Sequence, residues 1–371
     1  MSTITIHDIA HEAKVSISTV SRVINNTKEV SPELKKRVSS IIEKYDFKPN
    51  LIARSLVTRK TGMIAIIVSN ISNTVIGALT KGIESICRQR DYTLIVCESG
   101  GITENEIKLL RAMSNRQIDG LLFAGVDVHR ELVNEIRAQE YPTVLVTQEI
   151  SELNFEKTLP TVIHDNIQAT KDAIHFLYNN GHRKIAFIGG LKKDFSSGQK
   201  RYIGYSQALV ELGLEYKESY VGYGDFKFES GYRCMKKIYE ENSELPTAVM
   251  ACSDLMAIGA MNYLDSMNSK VPDTISIMGF DDTEVASYVK PKLSTVRISY
   301  FEEGAVAVQT LFSLMEGQEI LTGTKFVPHQ IIRRQSVRSI PVKKSFIFDI
   351  SGKTFSQKIN TTPVRGCNIK A

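Results

Sequence analysis

Short apolar runs alternate with helix-length amphipathic stretches over most of this sequence, and this alternation constrains the fold more than any other feature. In the first half of the chain the apolar runs lie at residues 63–68, 93–96 and 120–123, and in the second half at 184–188, 220–222, 248–251 and 275–279. Such runs, with helical patterns between them, are typical of parallel β-strands joined by crossover helices. The sequence therefore predicts an α/β body of two doubly wound parallel-sheet subdomains, with a small-ligand cleft at the carboxyl ends of the strands.

Charge is unevenly distributed along the chain. Residues 1–60 contain eleven lysines and arginines against six acids, and residues 341–371 contain six against one, although the whole chain carries a net charge of only +5. Because neutralised phosphates supply the sequence-independent part of DNA affinity, a polyanionic partner is expected to bind at an end of the chain. Residues 341–371 show no helical or strand periodicity and are expected to form a basic, disordered tail.

Composition excludes several classes of protein. A hydrophobic content of 42% with 23% charged residues is that of a folded globular protein. The five cysteines lack the spacing of a metal or redox site and are expected to be reduced, and the longest apolar run is too short to span a membrane. Polar residues occupy the N-terminus where a signal peptide has its apolar core, so we predict a cytoplasmic protein with no membrane partner, metal or cofactor.

The sequence contains no P-loop, zinc-protease or serine-hydrolase motif. An enzyme is therefore not predicted. A ligand carrier or an enzyme built on the α/β body remains an alternative, although it would have no use for the basic N-terminal segment.

Residues 1–48 predict three short helices. Thr5 can cap the first helix, Ser16 can cap a second helix over residues 17–25, and Ser31 precedes Pro32 at the start of the third. Two short helices joined by a tight turn, with a third closing a small core, are the helix-turn-helix arrangement, in which the second helix lies in the major groove of DNA. Three short helices also occur in proteins that do not bind DNA, so the pattern alone leaves this function open.

The second predicted helix has a polar outer face. Ser18, Ser21, Arg22 and Asn25 recur at helical spacing opposite the apolar stripe. We expect Arg22, with Ile17 and Ser18, to face base edges at the start of this helix.

The string from Thr5 to Asn25 resembles the DNA-binding head of the lactose/galactose repressor family. Its most specific pieces are Asp8-Ile9-Ala10 and Thr19-Val20-Ser21-Arg22-Val23, and the likeness continues into Ala53-Arg54-Ser55-Leu56, where the family has a hinge helix. The resemblance implies a helix-turn-helix domain at 1–48 and a hinge at 49–61, with Leu56 as a wedge in the minor groove. The DNA-contacting residues that it implies are Thr5, Ser16, Ile17, Ser18, Thr19, Ser21, Arg22, Asn25, Asn50, Ala53 and Leu56.

The resemblance extends to about Ser336 and implies the architecture of periplasmic sugar-binding proteins. Its marks in the body include Gly181-His182-Arg183-Lys184 and Gly279-Phe280-Asp281-Asp282. The expected subdomains cover 62–162 plus 297–325, and 163–296 plus 326–340. Since one head covers only a few base pairs, the resemblance also implies a homodimer on a near-palindromic DNA operator.

Polar residues near strand ends and helix starts are the candidates for binding a small sugar or sugar-phosphate effector. Arg201 and Asp281 are the favoured pair, because a guanidinium and a carboxylate can together satisfy adjacent hydroxyls, and Phe226 can stack on the apolar face of a sugar. Asp254 is expected to be only a helix cap. The full predicted effector set is Ser69, Asn73, Thr147, Arg201, Phe226, Ser253, Asp281 and Tyr300.

At two positions the sequence departs from the family pattern, and these departures leave the identity of the ligand undecided. Asn73-Thr74-Val75-Ile76 lacks the aromatic residues that relatives carry there, and Thr147 stands where several relatives have an aspartate. The stretches Val271-Pro272-Asp273 and Glu303-Gly304-Ala305-Val306-Ala307 resemble the catabolite control proteins, whose corepressor is a phosphorylated phosphocarrier protein. A regulator activated by such a protein or by a purine ligand is therefore the alternative to a sugar-responsive repressor.

Overall fold

A computed structural model describes residues 4–25, 29–47, 60–115, 118–150, 159–318 and 323–341. The chain divides into two compact units, of which the first contains Met1–Met63 with Gln117–Asp119 and the second contains the rest. The hinge candidates Asn50, Ala53 and Leu56 and the expected tail from residue 342 lie outside the described residues.

The first unit contains three helices, α1 (Ile6–Ala13), α2 (Ile17–Asn25) and α3 (Pro32–Lys44). Thr5 and Asp8 form a capping box at α1, and Ser31 caps α3 with Pro32 at its first position. Lys14 adopts a left-handed conformation (φ 52°) that ends α1. Apolar side chains from all three helices form a small core, so the helix-turn-helix prediction is confirmed; the buried members are Ile9, Ala10, Ala13, Val20, Val38 and Ile41.

The first sheet of the body has six strands in the order β11-β5-β4-β3-β1-β2. They are β1 (Met63–Val68), β2 (Thr93–Glu98), β3 (Gly120–Ala124), β4 (Thr143–Val146), β5 (Thr161–His164) and β11 (Thr324–Val327). The helices α4 (Thr74–Gln89), α5 (Thr103–Asn115), α6 (Arg130–Arg137) and α11 (Tyr300–Met315) belong to this subdomain. Buried side chains fill β1 and β3 almost throughout, as expected for a parallel sheet covered on both faces.

The second sheet also has six strands, in the order β12-β10-β9-β8-β6-β7. They are β6 (Ile185–Gly189), β7 (Val221–Tyr223), β8 (Ala248–Ala251), β9 (Ser276–Asp281), β10 (Ser294–Ile298) and β12 (His329–Ile332). Its helices are α7 (Asn166–Asn179), α8 (Lys200–Glu211), α9 (Phe228–Glu240) and α10 (Asp254–Ser266). The predicted two-subdomain α/β class is confirmed, although β12 at the sheet edge runs antiparallel to β10.

The chain crosses between the two sheets three times, and each crossing lies slightly later than predicted. The expected boundaries at 162/163, 296/297 and 325/326 all fall inside strands, because β5 runs to His164, β10 to Ile298 and β11 to Val327. Backbone pairing holds each strand to its last residue, so the chain can change sheet only after the ladder ends.

Candidate functional site

A cavity of about 300 Å³ lies at the carboxyl ends of strands from both sheets of the body. Ser69 follows β1, Thr147 follows β4, and Asp281 is the last residue of β9, so the carboxyl ends of parallel strands from both sheets place polar side chains at the cavity. The structure brings all eight predicted effector residues to the lining of this cavity, namely Ser69, Asn73, Thr147, Arg201, Phe226, Ser253, Asp281 and Tyr300.

Arg201 is almost fully buried in the wall of the cavity, with 3% of its side chain exposed. Its Nε donates to Asn166 Oδ1 (2.7 Å) and its Nη1 to the carbonyl of Cys252 (2.6 Å), and the guanidinium lies over the Phe280 ring at 3.7 Å. Burial opposes the charge, but the neighbouring Asp281 carboxylate raises the pKa of Arg201, so the guanidinium stays ionised. Two of its five N–H donors are therefore committed to these partners, and Nη2 lies 3.3 Å from His164 Nε2.

Asp281 faces Arg201 across the cavity wall. Its Oδ1 lies 3.8 Å from Arg201 Nη1 and accepts a hydrogen bond from the Tyr300 hydroxyl at 2.6 Å. Its backbone has a φ of 108°, a conformation that side-chain-bearing residues rarely adopt and that is common at functional sites. The adjacent Asp282 points away and pairs with Arg297 and Arg334, so the two neighbouring acids have separate environments.

Sequence reasoning missed a polar chain that connects the two subdomains behind Arg201. His164, at the end of β5, lies 3.1 Å from Glu303 through Nδ1 and 3.0 Å from Asn166 Oδ1 through Nε2. His164 and Glu303 are both at most 1% exposed. Glu303 is 139 residues from His164, so no local sequence pattern could predict that the two side chains pair. The one sequence feature that could have drawn attention to this site is a histidine at the end of an apolar strand.

Gln148 is a second lining residue that the sequence did not indicate. Its side chain is 6% exposed, and its Oε1 is buried without a hydrogen-bond partner among the residues that the structure describes. An unsatisfied buried acceptor costs roughly 1–3 kcal/mol. A donor from a bound ligand would remove that cost.

The prediction for Asp254 as a helix cap is wrong. Ser253 caps α10 instead, since its hydroxyl accepts the N–H of Met256 at 3.2 Å. Asp254 accepts from the Thr283 N–H (2.6 Å) and the Thr295 hydroxyl (2.6 Å), which fixes the loop after β9. Burial, with Asp281 nearby, raises the pKa of Asp254 to about 7.

Phe226 forms the half-buried aromatic part of the lining. It has a φ of 66°, and its ring lies against Gly190, where an added Cβ would come within 2.1 Å of the ring. The glycine is therefore required for this placement of the ring.

One pair of contacts ties the two subdomains together beside the cavity. Glu149, which follows β4, forms an ion pair with Lys200 at the start of α8, and its backbone N–H donates to Ser196 Oγ at 2.9 Å. Both charged side chains are about four-fifths buried, at 18% and 20% exposed. Ser196 lies in a π-helical turn (Phe195–Gln199), a feature that is frequent at functional sites.

In the first unit, α2 presents a polar surface. Ile17 is 40% exposed, and Ser18 and Arg22 are exposed beside it. The hydroxyl of Ser16 accepts the N–H of Thr19 at 3.2 Å, and the hydroxyl of Thr5 donates to Asp8 at 2.7 Å, so these two have capping roles in the free protein. Ser21 is half-buried, and the side chain of Asn25 lies outside the described residues.

Within the ranges that the structure describes, no helix is both long and apolar enough to cross a membrane, and no cluster of three metal-ligating side chains occurs. The described cysteines, Cys87, Cys97, Cys234 and Cys252, form no disulfide bond with one another.

A three-helix head with an exposed polar second helix, joined to a two-subdomain body with a polar cavity, defines the class of ligand-responsive transcriptional regulators. Comparison with known proteins agrees. A model of bacterial regulatory proteins of the lacI family matches residues 5–50, and one of the periplasmic binding protein-like domain matches residues 174–337.

Known relatives match nearly the whole chain. Catabolite control protein A of Priestia megaterium is 35% identical and covers 90% of this chain and 99% of its own length. The ribose operon repressor of Haemophilus influenzae is 34% identical over 91% of this chain and 99% of its own. The chain therefore belongs to the lacI family of bacterial transcriptional regulators.

Solved structures share the fold. A lac repressor dimer bound to operator and an anti-inducer aligns with a TM-score of 0.82 at 23% identity, covering 91% of this chain and all of that one. A complex of the transcriptional regulator CelR with cellobiose aligns with a TM-score of 0.68 at 27% identity, covering 90% of this chain and 99% of that one.

Proposed function

We propose that this protein is a dimeric, cytoplasmic repressor of a carbohydrate-utilisation operon, released from its operator by a small sugar bound in the body cavity. The observation that carries the proposal is the gathering of all eight effector candidates around one cavity in the same chain as the helix-turn-helix head. The function is binding rather than catalysis, as in the relatives, which are regulators.

The chemistry of the cavity favours a neutral polyhydroxy ligand. Arg201 donates to Asn166 and Cys252, and the Asp281 carboxylate beside it already balances its charge and would repel a phosphate. Gln148 and Asp281 offer acceptors, and Phe226 offers an apolar surface. The names of two relatives refer to ribose and to a complex with cellobiose, which belong to this chemical class.

The second candidate function is a regulator activated by a corepressor. It is favoured by the 35% identity to a catabolite control protein. A gel-shift assay with fragments of the source genome, repeated with single sugars, separates the candidates. A sugar that lowers operator affinity supports the proposal; an operator complex that forms only with an added phosphocarrier protein or purine supports the alternative.

We expect the full-length chain to sediment as a dimer at micromolar concentration. The edge strand β2 exposes Val96 (38%), and the neighbouring loops expose Ile71 (51%) and Ile102 (50%), which gives an apolar surface that a second copy can cover. Val96→Glu should shift the protein toward monomer and weaken operator binding. Val210→Glu, at an 81% exposed position on α8, is the control and should stay dimeric. A monomeric wild-type protein bound tightly to operator would refute the dimer.

Lys200→Met should weaken sugar binding about fivefold, which is about 1 kcal/mol and the upper end for partly exposed ion pairs. The reason is that the Glu149–Lys200 ion pair holds the two subdomains together, and a ligand that contacts both subdomains binds more tightly when they are held in place. Calorimetric titration with the sugar that releases operator measures the change. Lys171→Met is the control, because Lys171 is as buried as Lys200 (19% against 20% exposed) but its ion pair with Glu211 lies within one subdomain. Equal losses in both variants would contradict the role of the Glu149–Lys200 contact.

A further inference from the structure

A second cavity, of about 350 Å³, lies between the edge strand β7 and helix α9 in the second subdomain. It shares no lining residue with the first cavity. We call it the β7–α9 groove, and its lining consists of Lys192, Val221, Gly222, Tyr223, Ser230, Arg233, Cys234 and Lys237.

Three exposed cationic side chains, Lys192, Arg233 and Lys237, surround the groove. Arg233 and Lys237 are one helical turn apart on α9 and therefore share a face. Arg233 makes no hydrogen bond or ion pair to any other residue that the structure describes. The nearby acids are Glu241, 4.0 Å from Lys237, Asp225, which already accepts the N–H of Lys227 at 3.2 Å, and Glu218, whose charge acts on Tyr223. None of these acids lines the groove, so the charged side chains of its lining are all cationic.

The floor and one wall of the β7–α9 groove are uncharged. Val221, Gly222 and Cys234 are buried beneath it, and a Cβ at Gly222 would come within 2.9 Å of Cys234, so a glycine is required for β7 to approach α9 this closely. Tyr223 is 40% exposed and forms the wall, with Lys192 Nζ over its ring at 4.3 Å.

We propose that the β7–α9 groove binds a small phosphate ester. Arginine with flanking lysines matches the charge and the oxygen geometry of a phosphate, and Arg233 is free to form a bidentate contact. The organic part of the ligand would lie on the apolar floor and against Tyr223. A space of about 350 Å³ fits a small metabolite rather than a folded partner. The site gives the regulator a second input, separate from the sugar cavity, that reports a phosphorylated metabolite.

Calorimetric titration of the full-length protein with glucose 6-phosphate, AMP and inorganic phosphate tests the proposal. The first two probes distinguish a sugar from a nucleoside as the organic part, and the third tests phosphate alone. We expect Arg233→Glu with Lys237→Glu to weaken binding of the preferred probe at least tenfold. Lys236→Glu is the control, because Lys236 lies on the same helix but does not line the groove and sits 3.9 Å from Glu240; this variant should bind the probe as the wild-type protein does.

Three outcomes would overturn the proposal. The first is that none of the probes binds the wild-type protein. The second is that the double variant and the Lys236→Glu control lose affinity equally, which would reflect overall charge. The third is that the double variant dissociates to monomers in sedimentation, which would assign the groove to contact with a second copy. Thermal denaturation shows whether the double variant is folded. If it is not, the milder single variants Lys192→Ala and Arg233→Ala are titrated in its place.

Discussion

Asp281→Asn should bind operator as tightly as the wild-type protein but lose its response to the sugar. The asparagine keeps an oxygen for the Tyr300 hydroxyl, while it removes the charged acceptor that sugar hydroxyls need at the cavity wall. Hydrogen bonds to charged groups contribute roughly 1.5–3 kcal/mol, so the sugar should bind at least about tenfold more weakly. In cells this variant is a repressor that the sugar does not induce. Separate titrations against operator and sugar measure both affinities.

Asparagine is used rather than alanine because it keeps a side-chain oxygen beside Arg201 and the Tyr300 hydroxyl. Both substitutions remove the negative charge that balances the buried guanidinium, and breaking a buried pair costs roughly 3–5 kcal/mol, so thermal denaturation checks that the asparagine variant is folded. Asp282→Asn is the matched control, since Asp282 pairs with Arg297 and Arg334 outside the cavity lining and should keep the sugar response. Loss of operator binding with intact sugar affinity in a folded Asp281→Asn dimer would refute the assignment.

Leu56→Ala provides the reciprocal case. By its resemblance to the family, we expect Leu56 to be the hinge leucine that wedges into the minor groove, and it lies 13 positions before the first cavity residue, Ser69. The variant should lose operator affinity and keep sugar affinity, so that the two substitutions dissociate the two activities.

Arg22→Ala should weaken operator binding by roughly 1–3 kcal/mol and relax the preference at one base position. Arg22 is exposed on α2 beside Ile17 and Ser18, the face that a helix-turn-helix head presents to the major groove. Gel shifts against the operator and against a set of single-base variants measure affinity and preference together. A loss of affinity that is equal for all sequences would show that Arg22 contacts phosphate rather than bases.

Arg37→Ala is the control for this experiment. Arg37 is exposed on α3 and carries the same charge, so its removal reports the non-specific electrostatic contribution alone. Equal effects of Arg22→Ala and Arg37→Ala on affinity and on base preference would contradict base recognition by α2.

The sequence determined the local structure of the head and the class of the body. Thr5 with Asp8 and Ser31 with Pro32 fix helix starts through groups no more than three residues apart, so their pattern is visible in the chain. Ser69, Thr147 and Asp281 could be selected as cavity candidates because each stands at a strand end, and parallel strands bring their carboxyl ends together.

The tertiary structure alone decided which of these side chains are already committed to protein partners. Arg201 bonds to Asn166 and Cys252, and His164 to Glu303, across separations of 35, 51 and 139 residues, for which the sequence carries no pattern. The β7–α9 groove likewise depends on a strand and a helix that leave three cations around an apolar floor. Periodicity and capping arise between neighbours in the chain, whereas burial and the pairing of charges depend on which distant segments pack together.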